Sequence, residues 1–173
     1  AWTDPNKGTM GDADVTVTAA WEKEDIPVPS YTVTYEYTGS VPASAPEVPA
    51  VASYVYNQPV TIAKNPALTG YIFSGWNRGN FNMPARNVVI RGSWSGDFSA
   101  IEVTGDSKDY DARETSVTVD GTMRGDEITY YVDGETVSNT FVDVSDSATV
   151  TVAITRGDFR FVKTAEIEIR PLE

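Results

Sequence analysis

The sequence predicts an all-β protein, and three observations predict it. Apolar residues recur with period two, and helical periodicity is hard to find. Turn residues punctuate these alternating runs, in the last third about every eight to twelve residues, the spacing of a β-sandwich. A pattern of Met and Trp positions also recurs along the chain, marking a repeat. Hydrophobic residues make up 40% of the chain and aromatics 11%, which is enough to form a packed core. Cysteine is absent, so no disulfide assists that core.

The elements follow in order. Over 14–21, Val15, Val17, Ala19 and Trp21 fall on one face of a strand. Over 30–38, Tyr31, Val33, Tyr35 and Tyr37 face one way and Thr32, Thr34, Glu36 and Thr38 the other, as in a half-buried strand rich in aromatic and β-branched residues. Gly39, Pro42, Pro46 and Pro49 interrupt any regular element, so 39–50 is a surface crossover with at most one short helical turn. The apolar run 70–76 ends at the turn residues Asn77, Arg78, Gly79 and Asn80. Asp120-Gly121 closes the strand 116–119. Asp133-Gly134 between 128–132 and 135–137 is a two-residue hairpin signature. Ala148, Val150, Val152 and Ile154 define a further strand, as do Ala165, Ile167 and Ile169. The expected core includes Val33, Tyr35, Phe73, Trp76, Val88, Ile90, Trp94, Val117, Val119, Val150, Val152, Ile154 and Ile167.

The repeat sets the domain layout. Met10 precedes Trp21 by the same interval as Met83 precedes Trp94, with an alternating run between each pair. Residues 1–25 therefore read as the tail of a preceding repeat and 26–95 as a complete copy. Charge marks the next boundary. The net charge of −12 divides into −4 over 1–25, +2 over 26–95 and −10 over 96–173. Such a jump at Gly96-Asp97 predicts a separate module over 96–173. The chain starts with Ala1-Trp2-Thr3 and reads as a piece of something longer.

Composition excludes several functions. With neither His nor Cys there is no Ser-His-Asp triad, no thiol nucleophile and no zinc site of the usual N/S type. The acidic balance argues against nucleic acid, whose phosphates require Lys and Arg. No apolar run approaches the roughly 20 residues of a membrane helix.

Two stretches resemble known families. Tyr31-Thr-Val-Thr-Tyr35, Gly70-Tyr-Ile-Phe-Ser-Gly-Trp76, Met83-Pro-Ala-Arg-Asn-Val88 and the closing Trp94 resemble, in order, the parts of the Listeria–Bacteroides repeat, the internalin B-repeat family. The resemblance implies a small β-grasp-like module, found in tandem in surface proteins of Gram-positive bacteria and gut anaerobes. The Pro-rich segment 39–50 departs from it, standing where family members usually have a shorter Gly-containing turn. Residues 100–173 resemble a bacterial Ig-like module marked by Lys-x-Tyr-Asp-Gly. The matching positions are Lys108, Tyr110-Asp111, Gly125-Asp126, Tyr130 with Asp133-Gly134, and the closing Ile167-Glu-Ile-Arg-Pro171. Ala112 stands where that family has Gly. Both resemblances imply a non-catalytic, extracellular, cell-wall-attached or secreted architecture.

Candidate sites are few. Trp21, Trp76 and Trp94 could stack on sugars, but each ends an alternating strand in register, which favours core packing. Tyr54 and Tyr56 follow the crossover, and Tyr131 alternates with Tyr130, so these three are the candidate binding tyrosines. Asp106, Asp109, Asp111 and Glu114 form an acidic cluster that could supply oxygen ligands to Ca²⁺; the spacing is not that of an EF-hand, and a solvated turn-rich loop is the competing reading. Glu166 and Glu168 share one strand face, as the two carboxylates of a glycosidase pair flank one bond, yet no insertion forms a cleft. No cofactor and no catalytic residue is expected.

The sequence thus predicts a monomeric, non-enzymatic stalk or spacer segment of a bacterial surface protein, presenting other domains in adhesion. Its expected neighbours are further repeats of the same chain. Two alternatives accompany this: an adhesin module recognising host glycan or protein, and an accessory domain of a secreted carbohydrate-active enzyme. The short connection 95–98 predicts limited bending between the modules.

Overall fold

The computed structural model describes Ala20 and residues 27–172. The strand expected over 14–21, Trp2, Trp21 and the repeat tail assigned to 1–25 lie outside the described residues, apart from Ala20. Among the described residues the fold is all-β, with thirteen strands, one 3₁₀ turn and no α-helix.

The N-terminal half contains β1 (Ser30–Thr38), β2 (Ala52–Val55), β3 (Pro59–Val60), β4 (Tyr71–Phe73), β5 (Phe81–Asn82) and β6 (Val88–Gly96). Its main sheet has the order β2-β1-β6-β4. At the centre, β1 and β6 run parallel, with Val33 opposite Val88 and Thr38 opposite Ser93. The outer strands pair antiparallel, β2 on β1 and β4 on β6. Period-two alternation decides which face is buried. In β6, Val88, Ile90, Gly92 and Trp94 point inward while Val89, Arg91 and Ser95 face water. Val33, Val60, Met83, Val88 and Ile90 form the core, with Tyr31, Tyr35, Tyr54 and Trp76 packed against it. Each such aliphatic side chain contributes about 1.5–3 kcal/mol by leaving water. Beside it Tyr37, Phe73, Trp76 and Trp94 form an aromatic cluster, Tyr37 stacked on Trp76 and edge-on to Phe73 and Trp94. Gly92 is required there, because a Cβ would lie 2.2 Å from the Phe73 ring.

The Pro-rich crossover holds no regular element, only a turn from Pro42 to Ala45. The Tyr37 hydroxyl donates to the Pro46 carbonyl at 3.0 Å and ties the crossover to β1. Burial raises the Tyr37 phenol above its ordinary pKa.

The C-terminal half contains β7 (Glu102–Thr104), β8 (Asp106–Asp109), β9 (Thr118–Asp120), β10 (Glu127–Val132), β11 (Glu135–Val137), β12 (Ala148–Arg156) and β13 (Phe159–Arg170). One sheet has the order β11-β10-β12-β13-β8, and β7 pairs with β9 in a second. Val103 and Val119 of the smaller sheet pack onto a core of Ile101, Val117, Phe141, Val150, Val152, Ile154, Ala165, Ile167 and Ile169, so the two sheets enclose one apolar layer. The β10–β11 turn has Asp133 at φ +51° and Gly134 at φ +87°, the paired left-handed conformation of a type I′ hairpin. Asn139 fastens β9 to this half, its side-chain amide donating to the Val117 carbonyl and accepting from the Val117 amide, both at 2.8 Å.

Candidate functional site: the joint between the two halves

Along β12 the inward positions are Val150, Val152, Ile154 and then Arg156. An apolar stripe ending in a buried cation needs a partner, since an isolated buried charge is prohibitive. The partner is Asp126, in the turn before β10. Arg156 Nε donates to Asp126 Oδ1 at 2.8 Å and Nη2 to Oδ2 at 2.7 Å, a bidentate pair whose side chains are 7% and 2% exposed. Asp126 Oδ2 also accepts from the Met123 amide at 2.8 Å. The guanidinium hydrogen bonds hold the Asp126 carboxyl below its usual pKa range, and the carboxylate raises that of Arg156.

The remaining nitrogen crosses to the other half. Arg156 Nη1 donates to the carbonyl of Gly70, at 3.1 Å, and to that of Asp97. Four of the five guanidinium N–H groups are thereby engaged. The Asp97 amide donates to the same Gly70 carbonyl at 2.8 Å. Asp97 Oδ1 in turn accepts from the Ser99 amide and hydroxyl, at 3.1 and 2.6 Å, which lowers the Asp97 pKa and fixes the turn out of β6. Around this polar centre lie three aromatic contacts: Tyr71 edge-on to Phe159, Phe98 stacked on Phe161, and the Arg156 guanidinium 5.0 Å from the Phe98 ring centre.

Glycine allows the approach. Gly70 sits at φ +83°, and a Cβ there would lie 2.6 Å from Met123 Sδ and 3.2 Å from Arg156 Nη1. A Cβ on Gly96 would lie 2.4 Å from the Phe98 ring and 3.0 Å from Phe159 Cβ. The connection 95–98 is therefore part of a packed contact. β6 runs through Gly96, one residue past the expected boundary, because Gly96 pairs with Tyr71 of β4.

The structure separates the candidate binding tyrosines. Tyr54 lies opposite Tyr31 and packs on the core. Tyr56 is 67% exposed at the turn after β2. Tyr131 is half-buried in the other half, with the Arg160 guanidinium 6.0 Å above its ring. Trp94 is buried and Trp76 half-buried within the aromatic cluster.

The acidic cluster is dispersed along β8 and the turn after it. Asp106 accepts from the Thr115 hydroxyl and the Ser107 amide. Asp109 pairs with Arg170 at 2.9 Å. Asp111 pairs with Lys108 and accepts from the Arg113 amide at 3.0 Å, and these bonds lower its pKa. Glu114 is exposed. Among the described residues no group of three or more acids converges as a metal site would require. Glu166 accepts from Thr149 and Glu168 from Ser107, both on an open sheet face. Ala112 stands at φ +57°, the left-handed conformation that a glycine supplies without strain. Sequence reasoning did not single out Arg156, although its acceptors Gly70, Asp97 and Asp126 stood in the quoted motifs and at the expected boundary. The available signal was an Arg in register with three inward apolar residues.

Residues 31–85 match the model of the Listeria-Bacteroides repeat domain, a domain typical of bacterial surface proteins. The matched stretch runs from Tyr31 in β1 past β5 and includes the Tyr31–Tyr35 and Gly70–Trp76 motifs and Met83-Pro-Ala85, while β6 and the closing Trp94 lie beyond it. A comparison with curated proteins finds no match. Among solved structures the chain is similar to the titin domains Z1Z2 in complex with telethonin, at 15% identity and a TM-score of 0.30. That alignment covers 62% of this chain and 66% of the titin chain, just under two thirds of it. A score this low says nothing further about the present chain.

Proposed function

We infer that this chain is a non-catalytic spacer segment of a bacterial surface protein, extracellular and monomeric, in which a Listeria–Bacteroides-type repeat is joined stiffly to a bacterial Ig-like module to hold other domains at a distance. The observation that carries this is the joint: one buried Arg156 grips Asp126 of its own half, the Gly70 carbonyl of the other and the Asp97 carbonyl of the connection between them. Topology supports it too. β6 brings the chain up to the joint at Gly96, and β13 carries it away from Phe159, at the joint, to Arg170. At about 3.3 Å per residue these strands span about 30 and about 40 Å. The net charge of −12 keeps such a rod soluble and self-repelling. No helix among the described residues is long and apolar enough to cross a membrane.

Small-angle scattering tests the reading. The expected result is one elongated shape, about 70 Å in its longest dimension for the described residues. A profile requiring two freely reorienting bodies would overturn it. Saturable binding to a host glycan or matrix protein, lost on Tyr56→Ala or Tyr131→Ala, would replace it with the adhesin reading.

A further inference from the structure

We propose that both halves are shear clamps, so that the segment resists tension along the chain as well as setting distance. The inference deepens the spacer reading and rests on it for the direction of the load, which enters each half at one end of the chain and leaves at the other.

In the N-terminal half the first strand, β1, and the last, β6, lie side by side and parallel. In the C-terminal half the last strand, β13, lies parallel beside β8, which follows β7 directly through Gly105, with Asp106 opposite Ile167 and Asp109 opposite Arg170. For parallel neighbours, the entry point of one strand and the exit point of the other lie at opposite ends of the ladder. Tension then runs along the strands, and the hydrogen bonds between them are strained together. An antiparallel pair joined by a hairpin and pulled from its open end would lose them one at a time. Parallel neighbours need a long crossover between them, and here nearly the whole of each half serves as that crossover.

Side chains tie the same two ladders at register partners. Glu36 faces Arg91 across β1–β6 and forms an ion pair with it. Across β8–β13, Asp109 pairs with its register partner Arg170, and Ser107 donates to its partner Glu168 at 2.6 Å. Arg170 Nη1 also reaches Ser107 Oγ at 2.9 Å, and the Tyr110 amide donates to the Arg170 carbonyl at 2.8 Å. Gly105 lets β8 enter closely, since a Cβ there would lie 1.8 Å from the Glu166 carbonyl oxygen. Exposed pairs of this kind add little to equilibrium stability. Across a ladder in shear, they break in the same event as the backbone bonds.

The absence of cysteine allows pulling handles to be placed at will in the full chain. Exposed Ser30 and Ser95, both changed to Cys, load β1–β6 in shear; Ser30→Cys with Arg86→Cys pulls the same two strands from one end. The expected unfolding force is several-fold higher in the first geometry, and equal forces would overturn the proposal. In the second half, Arg170→Ala is expected to raise the unfolding rate under end-to-end tension about fivefold while leaving the melting temperature nearly unchanged. A parallel loss in both, or in neither, would overturn the role given to the side-chain ties. If scattering showed freely reorienting halves while the dependence on pulling direction persisted, the clamp would stand and the spacer reading would fall.

Discussion

Arg156→Ala is the substitution that tests the joint most directly. It removes two bonds to Asp126 and the donors to Gly70 and Asp97. Asp126 is left almost fully buried with only the Met123 amide as partner. Breaking a buried pair from one side costs about 3–5 kcal/mol, against roughly 0–1 kcal/mol for an exposed pair. Asp126→Ala should cost a similar amount by leaving the guanidinium half-satisfied, and the double variant should cost clearly less than the two combined, since neither charge is then stranded. The assay is urea denaturation followed by far-UV circular dichroism for the whole chain and by tryptophan fluorescence. Trp76 and Trp94 both lie in the N-terminal half, so fluorescence there reports how far damage in β12 crosses the joint. A loss below about 1 kcal/mol, or additive single variants, would refute the assignment of Arg156 as the joint's centre. The pH dependence has a definite sign. The Asp126 carboxyl is depressed below its ordinary 3.8, so its contribution is fully present above that value and is lost as pH falls through the folded-state pKa. The carboxylate raises the Arg156 pKa above its ordinary value, so its charge is constant across any usable range. Wild-type protein should therefore lose an acid-dependent increment of stability that Asp126→Asn lacks.

Further outcomes follow from single positions. Gly70→Ala forces a Cβ toward Met123 and Arg156 in a left-handed backbone conformation, so scattering should detect a loosened joint while each half retains its circular dichroism. Ala112→Gly relieves a left-handed alanine and should raise stability by about 0.5–1 kcal/mol, measured as an increased urea midpoint. Ile90→Ala in the fully buried centre of β6 should cost about 2–5 kcal/mol, read first by tryptophan fluorescence. Tyr37→Phe removes the bond to Pro46 and should speed proteolysis within 39–50 with little change in overall stability.

The strands were legible where alternation was strong. Ser30–Thr38 falls where period two puts it and Glu127–Val132 where the Asp133-Gly134 turn puts it, and every expected core residue is buried or packed against the core. Legibility ended where the pattern turns polar. β8 reads Asp-Ser-Lys-Asp and looked like an acidic loop, because an edge strand has no need of an apolar face along its whole length. β13 extends back to Phe159 through Val162, Lys163 and Thr164, all exposed, so the buried stripe marks only its second half. Gly157-Asp158 is itself a two-residue hairpin signature and was the missed clue to that extension. Parallel pairing could not be read at all: it is a property of which strands meet, and period two is the same for either direction.

These polar departures from the pattern also explain one another. An acidic cluster whose carboxylates do not converge is hard to understand as a metal site, yet its members have work within the sheet. Asp109 and Glu168 lie on the β8–β13 ladder and meet Arg170, while Asp111 neutralises Lys108 in the following turn. Arg156 is likewise anomalous as a core residue and intelligible as a connector, because only a guanidinium reaches a carboxylate and two carbonyls at once. A lysine would deliver a point charge without the planar fork, so Arg156→Lys should keep the charge balance and still open the joint. Scattering and the urea midpoint would then both move toward the Arg156→Ala values, and full retention of the wild-type values would mean that charge alone, without the fork's geometry, closes the joint.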